Sequence, residues 1–203
     1  MIRLMPFLLA ACVALVGCGL PQDATTQVAV LGGEVRVKAP KSYCVDTKSA
    51  KSVDDTAVVL IGRCNAAGQV AAALVTVTVG RFASAGVMLA STDALRDFMS
   101  SPAGRRALSR SGRAEDVEVL ESGVLDGQLM LHLKDRIAGD YWRAIIGING
   151  RLVSISASGA EGILLTPNQG RKLVEQTVAT VRDANSAPPE QGRARAQSNS
   201  FAG

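Results

Sequence analysis

Tyr141-Trp142-Arg143-Ala144-Ile145-Ile146-Gly147-Ile148-Asn149-Gly150-Arg151-Leu152-Val153-Ser154-Ile155-Ser156-Ala157 is the stretch that decides the fold. Trp142, Ala144, Ile146 and Ile148 alternate onto one face, the period-two pattern of a strand. Asn149-Gly150 suits a two-residue hairpin turn, whose backbone needs positive φ at both positions. Leu152 to Ala157 then returns alongside. A strand that folds straight back pairs antiparallel, which predicts a sheet with helices packed on it, an α+β domain.

Working upstream, Asp126-Gly127 is a second hairpin signal. Leu129, Leu131 and Leu133 share one face of the strand after it, with Met130, His132 and Lys134 on the other. Val117 and Val119 alternate with Asp116 and Glu118 before it. Val75, Val77 and Val79 alternate with Thr76 and Thr78. Ala57-Val58-Val59-Leu60-Ile61 is a continuous aliphatic run and reads as a buried strand. Val35 and Val37 give Val28 to Lys38 strand character, and Tyr43-Cys44-Val45 follows. Asp46 to Asp55 is polar and reads as a turn.

Three helical signals remain. Thr92 or Asp93 caps a helix with Leu95, Phe98 and Met99 on one face. Ser101-Pro102 starts another, with Ala103, Ala107 and Leu108 inward and Gly112 at its stop. Thr166-Pro167 opens the last, whose stripe is Leu173, Val174, Thr177, Val178 and Val181. The expectation is a single α+β domain over 28–184, an antiparallel sheet of about six or seven strands with helices packed on it. Aromatics are 3% of the chain while hydrophobics are 47%, so its core must be aliphatic. Residues 185–203, with Pro188-Pro189 and few apolar side chains, read as a disordered tail. The element order over about 28–183 resembles the Mog1/PsbP-like fold. That resemblance implies a protein that acts by binding partners.

At the other end, Arg3 precedes an apolar run, Leu4 to Val16. That run is shorter than the roughly 20 residues of a spanning helix and reads as an export signal. Leu15-Val16-Gly17-Cys18 resembles the lipobox of bacterial lipoproteins. The resemblance implies removal of 1–17, a diacylglycerol thioether on Cys18 and acylation of its new amino group. Leu9-Ala10-Ala11-Cys12 also fits the pattern but leaves an apolar core of only about six residues, below the roughly 7–15 of a signal. Residues 18–27 become a lipidated tether. The expected location is the cell envelope, facing the periplasm, attached to the membrane through the lipid. Gly19 is not aspartate, which leans toward the outer membrane.

With Cys12 discarded and Cys18 acylated, Cys44 and Cys64 remain. In an oxidising compartment an even pair reads first as a structural disulfide. Free thiols and metal or redox chemistry are the alternatives.

Signals for catalysis are sparse. His132 is the one histidine and lies between two inward leucines, so it reads as a surface or partly covered side chain rather than a general base. Phe82-Ala83-Ser84-Ala85-Gly86 lacks the first glycine of a nucleophile elbow. Asp54-Asp55 and Glu115-Asp116 read as solvated pairs, with a catalytic pair as the alternative. The net charge of +4 is modest, and no nucleic-acid-binding motif accompanies it. Arg105, Arg106, Arg110 and Arg113 crowd the second helical segment and its exit. They read as a solvated face or, alternatively, as a docking patch for anionic headgroups or an acidic partner. No metal or cofactor is expected beyond the covalent diacylglycerol and N-acyl group on Cys18. The functional expectation is a lipid-anchored envelope protein acting as a non-catalytic binding or assembly accessory, its partner another envelope protein. The alternative is a periplasmic hydrolase with an unrecognised carboxylate site.

Overall fold

The computed structural model describes residues 25–65 and 68–186. The expected signal, Cys18, most of the tether and nearly all of the tail lie outside the described residues.

The strands β1 (Gln27–Val30) and β2 (Val35–Lys38) pair as a small hairpin. Then come β3 (Tyr43–Val53), β4 (Thr56–Arg63) and β5 (Ala73–Val79). Three short helices follow, α1 (Gly86–Ala90), α2 (Thr92–Ser100) and α3 (Pro102–Leu108). The strands β6 (Val117–Leu125), β7 (Gln128–Asp135), β8 (Gly139–Ile148) and β9 (Arg151–Gly159) precede α4 (Pro167–Ser186). Seven of these strands form one antiparallel sheet in the order β3-β4-β5-β9-β8-β7-β6. The fold is α+β, as expected.

Both hairpin signals act as read. Ile148 pairs Arg151 across Asn149 (φ 48°) and Gly150 (φ 80°). Leu125 pairs Gln128 across Asp126 (φ 49°) and Gly127 (φ 67°). Positive φ at both central residues matches the turn's twist to that of the strands.

Each face of the sheet has its own core. On one face, α4 and the β1–β2 hairpin cover Val59, Ile61, Val75, Val77, Ile146 and Ile155. The α4 stripe is buried there as expected, Leu173, Val174, Thr177, Val178 and Val181 together. On the other face, α2 and α3 cover Leu129, Leu131, Leu133, Tyr141 and Ile145 with Leu95 and Leu108. Fully burying one such side chain contributes about 1.5–3 kcal/mol. No helix of the described residues is long and apolar enough to cross a membrane.

Four local expectations need correcting. Asp46 to Asp55 is not a long turn: β3 runs on to Val53, with a register shift between Asp46 and Lys51. It is an edge strand, so polar side chains reach solvent and the apolar alternation is missing. The run Ala57 to Ile61 is buried on one side only, for Val58 is 39% exposed. The cap of α2 is Ser91, whose hydroxyl accepts from the Ala94 N–H at 3.0 Å. In α3, Gly104 and Leu108 turn inward, while Ala103 and Ala107 are exposed. A β-carbon at Gly104 would collide with the Phe98 carbonyl, so glycine lets α3 pack directly on the end of α2.

Candidate functional site

The second core covers only part of its face. Strand β9 lies between β5 and β8, and the second core reaches β9 only at Leu152, near its start. Over the rest of β9 and over β5 no helix of the described residues covers that face. The groove there is lined by Thr76 and Thr78 from β5 and Ser154, Ser156 and Ser158 from β9, with Leu74 beyond them on the same face. Register aligns them in rows, Thr78 with Ser154 and Thr76 with Ser156, and Ser156 in turn with Arg143 of β8. Tyr141 and Arg110 complete a groove of about 340 Å³.

Two guanidiniums face these hydroxyls. Arg143 Nε donates to Ser156 Oγ at 2.9 Å, and its guanidinium carbon lies 5.5 Å from the Tyr141 ring centre. Neither Arg143 nor Arg110 lies within ion-pair distance of a carboxylate among the described residues. Tyr141 is 5% exposed, and its buried hydroxyl has no hydrogen-bond partner among the described residues. Burial pushes the phenol's pKa up, and the positive charge of Arg143 opposes that.

Asp135 positions the Arg110 loop. It is 2% exposed and accepts three backbone N–H bonds, from Arg110 at 3.1 Å and from Ile137 and Ala138 at 2.8 Å. Burial pushes its carboxyl up, but the three donors and the charge of Arg110 outweigh it, and the net pKa is below the usual range. A lowered folded pKa stabilises fully above the unfolded value of about 3.9 and is lost as pH falls through the folded value. Asp135→Asn is therefore expected to cost stability near neutrality and progressively less below about pH 4. Urea midpoints of both proteins between about pH 2 and 7 check this. A gap that does not narrow in acid would contradict it.

The other candidate residues fall elsewhere. Cys18 lies outside the described residues. Cys44 and Cys64 form a disulfide with Cα atoms 4.9 Å apart, which joins β3 to the end of β4. The four arginines do not share a helix face, because α3 ends at Leu108. Arg105 donates to the Ser100 carbonyl and lines one shallow hollow with Glu115, Glu118 and Glu121. Arg106 is exposed. Arg110 belongs to the groove, while Arg113 is held by Asp116 at 2.7 Å.

One carboxylate of each pair, Asp55 and Asp116, is engaged and not simply solvated. The Ser111 hydroxyl and then Arg113 hold the Asp116 carboxyl below the usual range. Arg151 does the same for Asp55, helped by the Phe82 N–H. His132 is on the face opposite the groove, stacked on Trp142 with ring centres 4.6 Å apart and Nε2 2.5 Å from Asp140 Oδ1. Among the described residues no three His, Cys, Asp or Glu side chains are placed to hold a metal.

Tyr141, Arg143 and the hydroxyl rows were not singled out from sequence. Their signal is present in Val-Thr-Val-Thr-Val at 75–79 and Val-Ser-Ile-Ser-Ala-Ser at 153–158, where the alternate, outward residues of the two stretches are all hydroxyls.

No protein family and no curated protein matches the chain. Among solved structures, a point mutant of the protein Mog1 is similar at 12% identity, with 79% of this chain and 92% of that one covered and a TM-score of 0.37. The Ran-binding protein Mog1p of Saccharomyces cerevisiae is similar at 11% identity, with 79% and 91% covered and the same TM-score. These are weak resemblances, and function does not transfer across them.

Proposed function

We propose that this chain is a lipid-anchored cell-envelope protein that works as a non-catalytic binding module, with the open hydroxyl face of its sheet as the binding surface. The observation that carries the reading is that face: five hydroxyls and two guanidiniums without carboxylate partners among the described residues, left uncovered by helices that stop short. A serine becomes a nucleophile only beside a base. Here the lone histidine is across the sheet, and the neighbouring aspartate, Asp135, spends its oxygens on backbone donors. The hydrolase alternative needs a carboxyl with a raised pKa as general acid. Asp55 and Asp116 are shifted the other way.

The way the chain enters the domain supports the anchor. The Thr25 carbonyl accepts from the Val45 N–H and the Thr26 carbonyl from the Ala39 N–H, so the chain arrives near the start of β3. Register places the β7–β8 turn and the loop after β9 at that same end of the sheet. Exposed aliphatics crown it: Leu164 at 95%, with Ile163 and Ile137. Cys18 is seven residues before Thr25, a reach of at most about 25 Å. A lipid on Cys18 holds this end beside the bilayer, where such tips bury apolar area at the headgroup boundary. The envelope partner then meets the groove from the side. The lean toward the outer membrane rests on Gly19 alone.

Cys18→Ser tests the anchor. The expected result is loss of radiolabelled fatty acid from the protein and accumulation of an uncut precursor that still carries residues 1–17, since the cut follows the thioether. A variant that is labelled, or cut before residue 18, like the wild type would contradict it.

A further inference from the structure

We infer that the open face binds a phosphate-type oxyanion, seated between Arg143 and Arg110 on the hydroxyls of Thr76 and Ser156. The inference rests on the reading of this face as a binding surface and names its ligand chemistry. The first ground is the balance of donors and acceptors. The eight side chains lining the groove include no carboxylate and no amide. Guanidiniums donate only, and each hydroxyl has one proton to give. A ligand rich in hydroxyl donors, such as a neutral sugar, would find few strong acceptors here. A ligand rich in acceptors finds donors on three strands and one loop.

The second ground is charge. Arg143 and Arg110 come from different elements and lack carboxylate partners within ion-pair distance among the described residues. Arg143 uses Nε on Ser156, which leaves the Nη edge of its fork for an incoming anion. Planar guanidinium forks suit phosphate oxygens because two parallel charge-assisted bonds form at once. Asp135 fixes the backbone of Arg110 without cancelling its charge by direct contact.

The third ground is independent of both. The Tyr141 hydroxyl lies buried at the groove without a partner, although a buried hydroxyl ordinarily has one. An anion in the groove, or the shift of Arg110 and Arg143 toward it, gives that phenol a partner. The volume of about 340 Å³ is at the small end of ligand pockets, which run from about 300 to 1,000 Å³, and has room for a phosphate ester.

Two sources share this chemistry, a soluble phosphate ester and the phosphodiester headgroup of an anionic lipid. The test uses the full chain with Cys18→Ser and follows its amide and arginine Nε–H signals by NMR. The probes are inorganic phosphate, glycerol 3-phosphate, a neutral trisaccharide, and vesicles of phosphatidylglycerol or of phosphatidylcholine. The expected result is saturable shifts at Thr76, Ser156 and Arg143 with glycerol 3-phosphate, weakened about tenfold in Arg143→Gln and in Arg110→Gln. Both variants should keep the parent's amide spectrum outside the groove, which separates weakened binding from loss of the fold. Binding to phosphatidylglycerol but not phosphatidylcholine vesicles, sensitive to the same substitutions, assigns the headgroup. Binding of the soluble ester alone assigns the free one. Groove shifts from the trisaccharide but not from the phosphate probes would keep the binding face and overturn its oxyanion chemistry. Silence from both phosphate probes up to about 20 mM overturns the inference as well.

Discussion

Arg151→Leu is expected to lower the unfolding free energy by about 3 kcal/mol. Arg151 opens β9 directly after the Asn149-Gly150 turn, yet it is only 3% exposed. Its Nη2 lies 2.8 Å from Glu34 Oε2 and 2.6 Å from Asp55 Oδ1. Its Nη1 donates to the Asp55 and Gly80 carbonyls at 3.0 and 3.1 Å. One side chain thus ties the β1–β2 hairpin, the β3–β4 turn and the end of β5 to the central strand. Leucine fills the space but leaves two carbonyls without a donor. Breaking a buried pair costs about 3–5 kcal/mol when the remaining charge stays buried. Glu34 and Asp55 are half exposed and regain water, so the lower figure applies. Chemical denaturation of the two proteins checks it. A loss below about 1 kcal/mol, the range of a surface ion pair, would contradict the account.

Removing the disulfide with Cys44→Ala and Cys64→Ala is expected to cost about 3 kcal/mol in the chain-entropy model, since it opens a loop of 20 residues. The effect acts mainly on the unfolded chain, so the native sheet should persist. Its position matters as well: β3 is an edge strand paired on one side only, and the crosslink crosses the last rung, Tyr43 with Arg63, from Cys44 inside the ladder to Cys64 just past it. The Tyr43 hydroxyl bond to the Ala71 carbonyl, 2.8 Å, remains as a second tie. Denaturation with and without reductant, beside the double variant, measures the effect. Arg151 lies at the opposite end of the sheet from Cys44, so the two losses should add within about 0.5 kcal/mol. A double variant as stable as the parent would show that the bridge adds nothing to the fold.

What was legible from sequence was local. Turn pairs such as Asn149-Gly150 dictate their own backbone, and the α4 stripe repeats at helical spacing whatever it packs on. What was not legible depends on strand order. The hydroxyls of β5 and β9 read as ordinary outward residues of two strands. They become one face only because β9 inserts beside β5, eighty residues away in sequence by the pairing of Thr76 with Ser156. Arg151 carries no local signal of its role, for its carboxylate partners lie 117 and 96 positions away. Asp46 to Ser49 misled because an edge strand has no second neighbour to demand apolar side chains. The four arginines separate because α3 ends at Leu108, so Arg110 and Arg113 follow the loop and not the helix.

The central claim is that the open face of the sheet is where this protein meets its partner. A photoreactive amino acid at Thr78, on that face, tests it against one at Lys172, on the exposed side of α4. Crosslinking is done in living cells that carry the full chain. The expected result is an adduct to an envelope component from Thr78 and none from Lys172. Adducts from Lys172 with none from Thr78 would contradict it.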